Sequence, residues 1–76
     1  MRGDRVLKRR TELNLTQAQL AEVTGLKQFH ISRIEKGTIK DVKGNTLIQL
    51  ARALHVSSDF LLGLTDKMES LVAPAA

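Results

Sequence analysis

The stretch that most constrains the fold is residues 16–37, TQAQLAEVTGLKQFHISRIEKG, because it carries start and stop signals for short helices. Thr16 and Gln19 have the spacing of a capping box. In such a box the threonine hydroxyl accepts a hydrogen bond from the Gln19 amide, and the glutamine side chain accepts one from the Thr16 amide. Gly25 suits a helix end, since glycine adopts a left-handed backbone without a side-chain clash. These signals predict a helix over residues 17–24.

A second helix is predicted to begin within three residues of Gly25 and to end before Gly37, which produces a helix-turn-helix. At about 100° per residue, Ile31 and Ile34 fall on one side of this second helix and are expected to face the core. The other side is polar and carries one aromatic residue. It consists of Phe29, Ser32, Arg33 and Lys36, with Gln28 at its edge in the first turn.

The chemistry of this outer face suits the base edges of the DNA major groove. Amide and guanidinium groups can form two hydrogen bonds with the edge of a purine, and a phenyl ring can contact a thymine methyl group. An ordinary solvated face is equally compatible with the pattern, because charged outer faces are normal for surface helices. The helix by itself leaves both interpretations open.

The spacing Thr-Gln-x-x-Leu-Ala-x-x-x-Gly-Leu-x-x-x-x-Ile-Ser-x-Ile-Glu-x-Gly resembles the helix-turn-helix family of phage repressors and Cro proteins, the XRE type. The resemblance implies an all-α, lambda-repressor-like bundle of five or possibly six helices, with the helix-turn-helix at helices two and three. It also implies a sequence-specific transcriptional regulator that binds double-stranded DNA, with repression favoured over activation. The matching residues are Thr16, Gln17, Leu20, Ala21, Gly25, Leu26, Ile31, Ser32, Ile34, Glu35 and Gly37.

The outer face and the resemblance together predict which residues meet DNA, although Phe29 could instead pack against a neighbouring residue or a partner protein. The start of helix two would hold one phosphate, assisted by the helix dipole. Gln28 is expected on adenine and Arg33 on guanine. Lys27 departs from the family, which usually has a small hydroxyl residue there to cap the helix. The predicted base contacts are Lys27, Gln28, Phe29, Ser32 and Arg33, and the predicted phosphate contacts are Thr16, Gln17, Arg10, Lys36, Lys40, Lys43 and Asn45.

Arg10 is the charge that most needs a partner. The first helix is predicted over residues 2–13, and Arg10 lies on its apolar stripe, where a lone charge is costly. Glu35 is the candidate partner, and the family that the chain resembles carries an Arg–Glu pair at this place. A purely structural ion pair is favoured, and a further contact from Arg10 to a phosphate is the alternative. The apolar stripe consists of Val6, Leu7 and Leu13.

The net charge of +4 is unevenly distributed. Residues 1–13 and 26–43 are basic, whereas residues 57–76 are acidic. One interpretation is that a basic face meets a polyanion. The other is that the excess charge only keeps the protein soluble.

Helix four is predicted to end at Leu54, followed by His55 as a cap at positive φ. Its start is open, because Asp41 could cap a helix from Val42, or the helix could begin nearer Thr46. Its buried face is expected to contain Leu47, Leu50, Ala51 and Leu54.

Helix five is expected after Ser57, which can cap it, with Gly63 at its end. We assign residues 1–64 to the DNA-binding domain and residues 65–76 to a short terminal helix or tail. The apolar residues here either fold back onto their own core or form a two-fold dimer contact, which we favour. Such a dimer would place two recognition helices about 34 Å apart on a pseudo-palindromic operator. The predicted dimer contacts are Phe60, Leu64, Met68 and Leu71.

Several other classes of protein find little support. A chain of 76 residues has room for one small domain, and the absence of cysteine excludes disulfides and cysteine zinc sites. With only two histidines, far apart, no metal or cofactor is expected. No membrane span, signal peptide or small-molecule site is evident, which predicts a cytoplasmic protein. No carboxylate pairs with a nucleophile, so an enzyme is not expected. An antitoxin-like or adaptor protein that uses this fold to bind another protein is the alternative function.

Overall fold

The computed structural model describes residues 1–39 and 41–68, and helices account for most of them. No strand occurs in these two ranges, so the described chain is all-α as predicted. The first helix is one residue shorter at each end than expected. In chain order the helices are α1 (Gly3–Glu12), α2 (Gln17–Thr24), α3 (Gln28–Lys36), α4 (Gly44–Leu54) and α5 (Ser58–Leu62).

The predicted signals at both ends of α2 are confirmed. The Thr16 Oγ1 accepts a hydrogen bond from the Gln19 amide at 3.0 Å, and the Gln19 Oε1 accepts one from the Thr16 amide at 2.9 Å. Gly25 ends the helix with a φ of 75°. The capping box fixes the chain that enters α2, and Gly25 turns the chain that leaves it. As a result, α3 begins as soon as three residues after Gly25.

Helix α4 begins at Gly44, between the two starts that the sequence suggested. Lys43 is its N-cap, so neither an Asp41 cap nor a start near Thr46 is correct. Thr46 is buried in the first turn, and this packing outweighs the weak helix propensity of Gly44. At the other end, His55 adopts a φ of 56° as the C-cap, as predicted.

Helix α5 is short and is capped at both ends as expected. The Ser57 Oγ accepts a hydrogen bond from the Phe60 amide at 3.0 Å, and Gly63 ends the helix at a φ of 81°. The sixth helix is not seen: residues 65–68 are not helical, and residues 69–76 lie outside the described chain. Instead, the chain after α5 turns back, and the Ser57 amide donates to the Met68 carbonyl at 2.7 Å.

The core lies between the five helices, each of which contributes at least one buried apolar side chain. The prediction that Leu7 belongs to it is wrong, since that side chain is 41% exposed. The side of α1 that faces the core carries Gly3, Val6 and Arg10. Leu7 therefore lies at the edge of this side. The buried apolar residues are Val6, Leu20, Ile31, Ile34, Leu50, Ala51, Leu54 and Leu61, and Leu13 and Leu47 pack against them.

Helix α3 packs against α1 and α2. Ile31 and Ile34 are buried, as the sequence predicted. The opposite side of α3 therefore remains open to solvent. None of the helices in residues 1–39 and 41–68 combines the length and the apolar character needed to span a bilayer.

Candidate nucleic-acid interface

The outer face of α3 is exposed along its whole length. Gln28, Phe29, Arg33 and Lys36 are exposed, and Ser32 is half-buried beside them. Phe29 is 58% exposed although it is one of only two phenylalanines in the chain. The five side chains thus form one continuous surface, with donors, an aromatic ring and two cations.

Two members of this face contact each other. The guanidinium carbon of Arg33 lies over the Phe29 ring, 5.2 Å from its centroid. Residues four apart are neighbours on a helix, and a guanidinium is attracted to the negative face of an aromatic ring. The helical spacing predicts both residues on one face, but it does not predict the stack.

Lysines occupy the N-cap positions of both α3 and α4. Lys27 has φ −82° and ψ 144°, and Lys43 has φ −65° and ψ 150°; neither side chain makes a capping hydrogen bond. A lysine offers no acceptor to the amides of the first turn. Both helices therefore begin with open amides beside an exposed ammonium group.

The start of α2 is also open. The Thr16 hydroxyl is occupied by the Gln19 amide, whereas the amides of the first two helical residues have no acceptor within a helix. The Gln17 side chain turns toward the protein, and its Nε2 donates to the Glu35 Oε1 at 2.9 Å. That bond leaves one hydrogen of the Gln17 amide group for another acceptor.

Arg10 and Glu35 form the predicted ion pair. The Arg10 Nε lies 2.7 Å from the Glu35 Oε2, and the Arg10 Nη2 lies 3.1 Å from the Glu35 Oε1. The remaining nitrogen, Nη1, donates to the Leu15 carbonyl at 2.8 Å. The side chains are 12% and 3% exposed, and the hydrogen bond to Glu35 raises the pKa of Arg10 above its ordinary value even though burial lowers it.

Glu35 joins three helices, because it accepts from Arg10 on α1 and from Gln17 on α2. Since Glu35 is itself on α3, a bidentate, charge-assisted contact holds α3 to α1. A single hydrogen bond from Gln17 to the same carboxylate holds α3 to the start of α2. The geometry favours the structural interpretation of Arg10, whose guanidinium is mostly covered. Its contact with a phosphate stays a prediction.

The other predicted phosphate contacts follow the α3 face along the chain, and we call them the rim contacts. Lys36 is exposed in the last turn of α3, and Asn45 is exposed in the first turn of α4. Lys40 lies outside the described residues. The rim contacts that the structure describes thus run along the chain from the last turn of α3 to the first turn of α4.

Two arginines of the basic first helix contact carbonyl oxygens of the fold. Arg5 stacks on the Phe60 ring at 4.4 Å, and its Nη1 donates to the Phe60 carbonyl at 2.8 Å. Arg9 donates from Nε to the Leu54 carbonyl at 2.8 Å. Leu54 ends α4, where carbonyls lack helical partners. The sequence shows that such carbonyls need donors, but it does not show which arginine reaches them.

The predicted dimer residues differ in their surroundings. Phe60 is half-buried, with Arg5 against its ring, whereas Leu64 is 74% exposed. Met68 is also exposed, and Leu71 lies outside the described residues. Leu64 and Met68 therefore leave apolar surface uncovered at the end of α5.

No group of three or more histidine, aspartate or glutamate side chains converges within residues 1–39 and 41–68. The ionisable groups of the interface are mainly cations. It is therefore a surface suited to contact with an anion, by hydrogen bonds and charge.

Comparison with known proteins adds two kinds of similarity. A sequence profile described as helix-turn-helix matches residues 6–61. The fold is similar to the crystal structure of the P22 c2 repressor protein in complex with synthetic operator 9T, with 35% identity, a TM-score of 0.74, and coverage of 79% of this chain and 89% of that chain.

Two further structures are similar over comparable lengths. One is the biofilm master regulator SinR of Bacillus subtilis in complex with DNA, with 29% identity, a TM-score of 0.77, and coverage of 82% of this chain and 98% of that chain. The other is the restriction-modification controller protein C.AhdI from Aeromonas hydrophila, with 30% identity, a TM-score of 0.71, and coverage of 78% and 88%. All three similarities span most of both chains.

Proposed function

Because this chain belongs to the helix-turn-helix family and is a DNA-binding transcriptional regulator, we propose that it is a sequence-specific cytoplasmic repressor that reads the major groove with α3. The observation that carries the proposal is the exposed outer face of α3, held in place by Glu35. Two buried isoleucines on the inner side prevent α3 from turning that face away. Repression is favoured because a similar chain, the P22 c2 repressor, is bound to a synthetic operator.

In the proposed complex, α3 supplies the base contacts. Gln28 lies in the first turn, where its amide can donate to N7 and accept from N6 of adenine, and Arg33 forks onto guanine. Lys27, Phe29 and Ser32 lie beside them on the same face and meet neighbouring base edges. Since none of the five is buried, forming these contacts requires no local unfolding.

The start of α2 and the rim of α3 supply the phosphate contacts. The open amides of α2, with Thr16 and the free hydrogen of the Gln17 side chain, bind one phosphate, and the helix dipole assists them. Arg10 contributes mainly by positioning Glu35 and, through it, Gln17. The rim contacts are Lys36, Lys40, Lys43 and Asn45.

We also propose that the protein binds as a homodimer to a pseudo-palindromic site. Leu64 and Met68 leave apolar surface exposed, and a two-fold axis would bury the same patch of both copies. Such a dimer presents two copies of α3 about one helical turn of DNA apart.

The direct experiment is selection of binding sites from random duplexes with the full chain, followed by titration of the selected duplex and of a scrambled one. We expect the selected duplex to bind at least about 10³-fold more tightly, with two symmetric half-sites. The matched control is the double variant Gln28→Ala and Arg33→Ala, which removes the two main base contacts. Both side chains are exposed, so its helical content should be unchanged. Equal binding of the selected and scrambled duplexes at low ionic strength would contradict the proposed function.

A further inference from the structure

Phe29 and Arg33 contact each other outside the packing of the fold. The ring is 58% exposed and does not belong to the apolar core. No carboxylate in the described part of the chain forms an ion pair with Arg33. A cation–π contact is weak in water and strengthens when water is excluded, so this pair gains most when another surface covers it.

The distance between the two groups fits the spacing of stacked bases. A guanidinium that forks onto O6 and N7 of guanine lies close to the plane of that base. The Phe29 centroid is 5.2 Å from the Arg33 guanidinium carbon, which is between one and two base-pair steps of about 3.4 Å. A ring at this distance can therefore lie beside the base pair next to the guanine when α3 is in the groove.

The major-groove edge of that neighbouring pair offers an apolar ring one suitable group, the C5 methyl of thymine. We propose that Phe29 and Arg33 form one reading unit for a guanine whose neighbouring base pair contains thymine. The inference rests on the proposed function, in which α3 lies in the major groove. Phe29 has two effects in this unit: it contacts the methyl group, and it holds the guanidinium in the orientation that guanine requires.

The two effects are separated by changing one atom group at a time. Replacing the thymine of the selected duplex by uracil removes only the methyl group. We expect the unchanged protein to bind the uracil duplex about fourfold more weakly, as for the loss of one buried methyl group. Phe29→Ala should bind the two duplexes equally.

The coupling to Arg33 is measured with two duplexes, one with guanine and one with adenine at the position that Arg33 contacts. The quantity compared is the ratio of the two affinities. Phe29→Ala should lower this ratio by about threefold, because the guanidinium loses its aromatic support. Phe29→Leu should keep the methyl dependence and also lower the ratio, since leucine is apolar but has no π face. Val23→Ala, an exposed apolar change on α2, should alter neither quantity.

Equal sensitivity of Phe29→Ala and the unchanged protein to loss of the methyl group would overturn the inference. An unchanged guanine-to-adenine ratio in both Phe29 variants would also overturn it, because the two residues would then act independently. Failure of the unchanged protein to select any site would overturn the proposed function itself, and the inference with it. Circular dichroism of each variant checks that the helices are intact.

Discussion

Gly3, at the start of α1, lies directly against the main-chain carbonyl of Ile34 in α3. A Cβ on residue 3 would overlap the Ile34 carbonyl oxygen and would lie 3.3 Å from the Glu35 Cα. Gly3 is buried, so no space is left at its side. The distance between α1 and the C-terminal half of α3 is therefore set by a residue without a side chain.

Gly3→Ala should destabilise the fold, because the new methyl group must push α1 and α3 apart. Overpacking of this kind costs about 1 to 3 kcal/mol, which a urea unfolding curve resolves. Gly44→Ala is the matched control, since a Cβ there has nothing within 4 Å. We expect that change to be neutral or to stabilise the protein by about 0.4 to 1 kcal/mol. Equal stability of the two variants would show that the close contact is not constraining.

Arg10→Met should also destabilise the fold, because it leaves the carboxylate of Glu35 buried without its cation. Breaking a buried ion pair by removing one partner costs about 3 to 5 kcal/mol; the Gln17 bond that remains places the expected loss near the lower value. Arg2→Met removes the exposed pair with Asp4, which water and salt screen, so this change should affect stability far less. An Arg10 variant that unfolds at the same urea concentration as the Arg2 variant would contradict the importance of the buried pair.

Lys27→Ser should make the protein more stable and less able to bind DNA. A serine at this extended N-cap position can accept from the open amides of α3, which stabilises a helix by about 1 kcal/mol. The lost ammonium group weakens the attraction to DNA. Thermal melting and duplex titration measure the two effects. Lys27→Ala, which removes the charge but cannot cap, should bind DNA weakly without the gain in stability.

Gln28→Ala should relax the choice of one base pair. We expect a loss of about 1 to 3 kcal/mol on the preferred site and little change on random duplexes. Lys43→Ala and Lys40→Ala should instead weaken binding to all sequences alike and reduce its salt dependence. If the base preference of the Gln28 variant is the same as that of the unchanged protein, Gln28 does not read a base.

Leu64→Asp should prevent dimer formation if the end of α5 forms the two-fold contact, since a charge cannot be buried against its own copy. Sedimentation equilibrium should then report a monomer, and binding to a symmetric site should lose its cooperativity. Val23→Asp introduces the same charge at a side chain of similar exposure, 64% against 74%. A dimer that survives the Leu64 change but not the Val23 change would place the contact on α2 instead.

The correct predictions from sequence depend on interactions within one turn of the chain or on a strong energetic need. The capping box of Thr16 and Gln19, the left-handed His55 and the inward Ile31 and Ile34 belong to the first kind. The partner of Arg10 belongs to the second, because a charge on an apolar stripe requires an opposite charge, and the family resemblance pointed to Glu35. The DNA contacts themselves stay predictions.

The errors concern long-range packing. Leu7 was assigned to the core from periodicity alone, but α1 meets α3 along the line of Gly3 and is rotated accordingly. The sequence also gives no sign that Arg5 and Arg9 bind carbonyl oxygens more than 40 residues away along the chain.

The sequence by itself therefore determined where most helices begin and end, which side of α3 faces inward, and which family the protein resembles. The reason is that capping, left-handed turns and helical periodicity act between residues close in sequence. Only the tertiary structure decided which arginines are used to hold the protein together, how the chain continues after α5, and that Phe29 supports Arg33. Those outcomes depend on distances between helices and on the rotamers of long side chains, which no local pattern specifies.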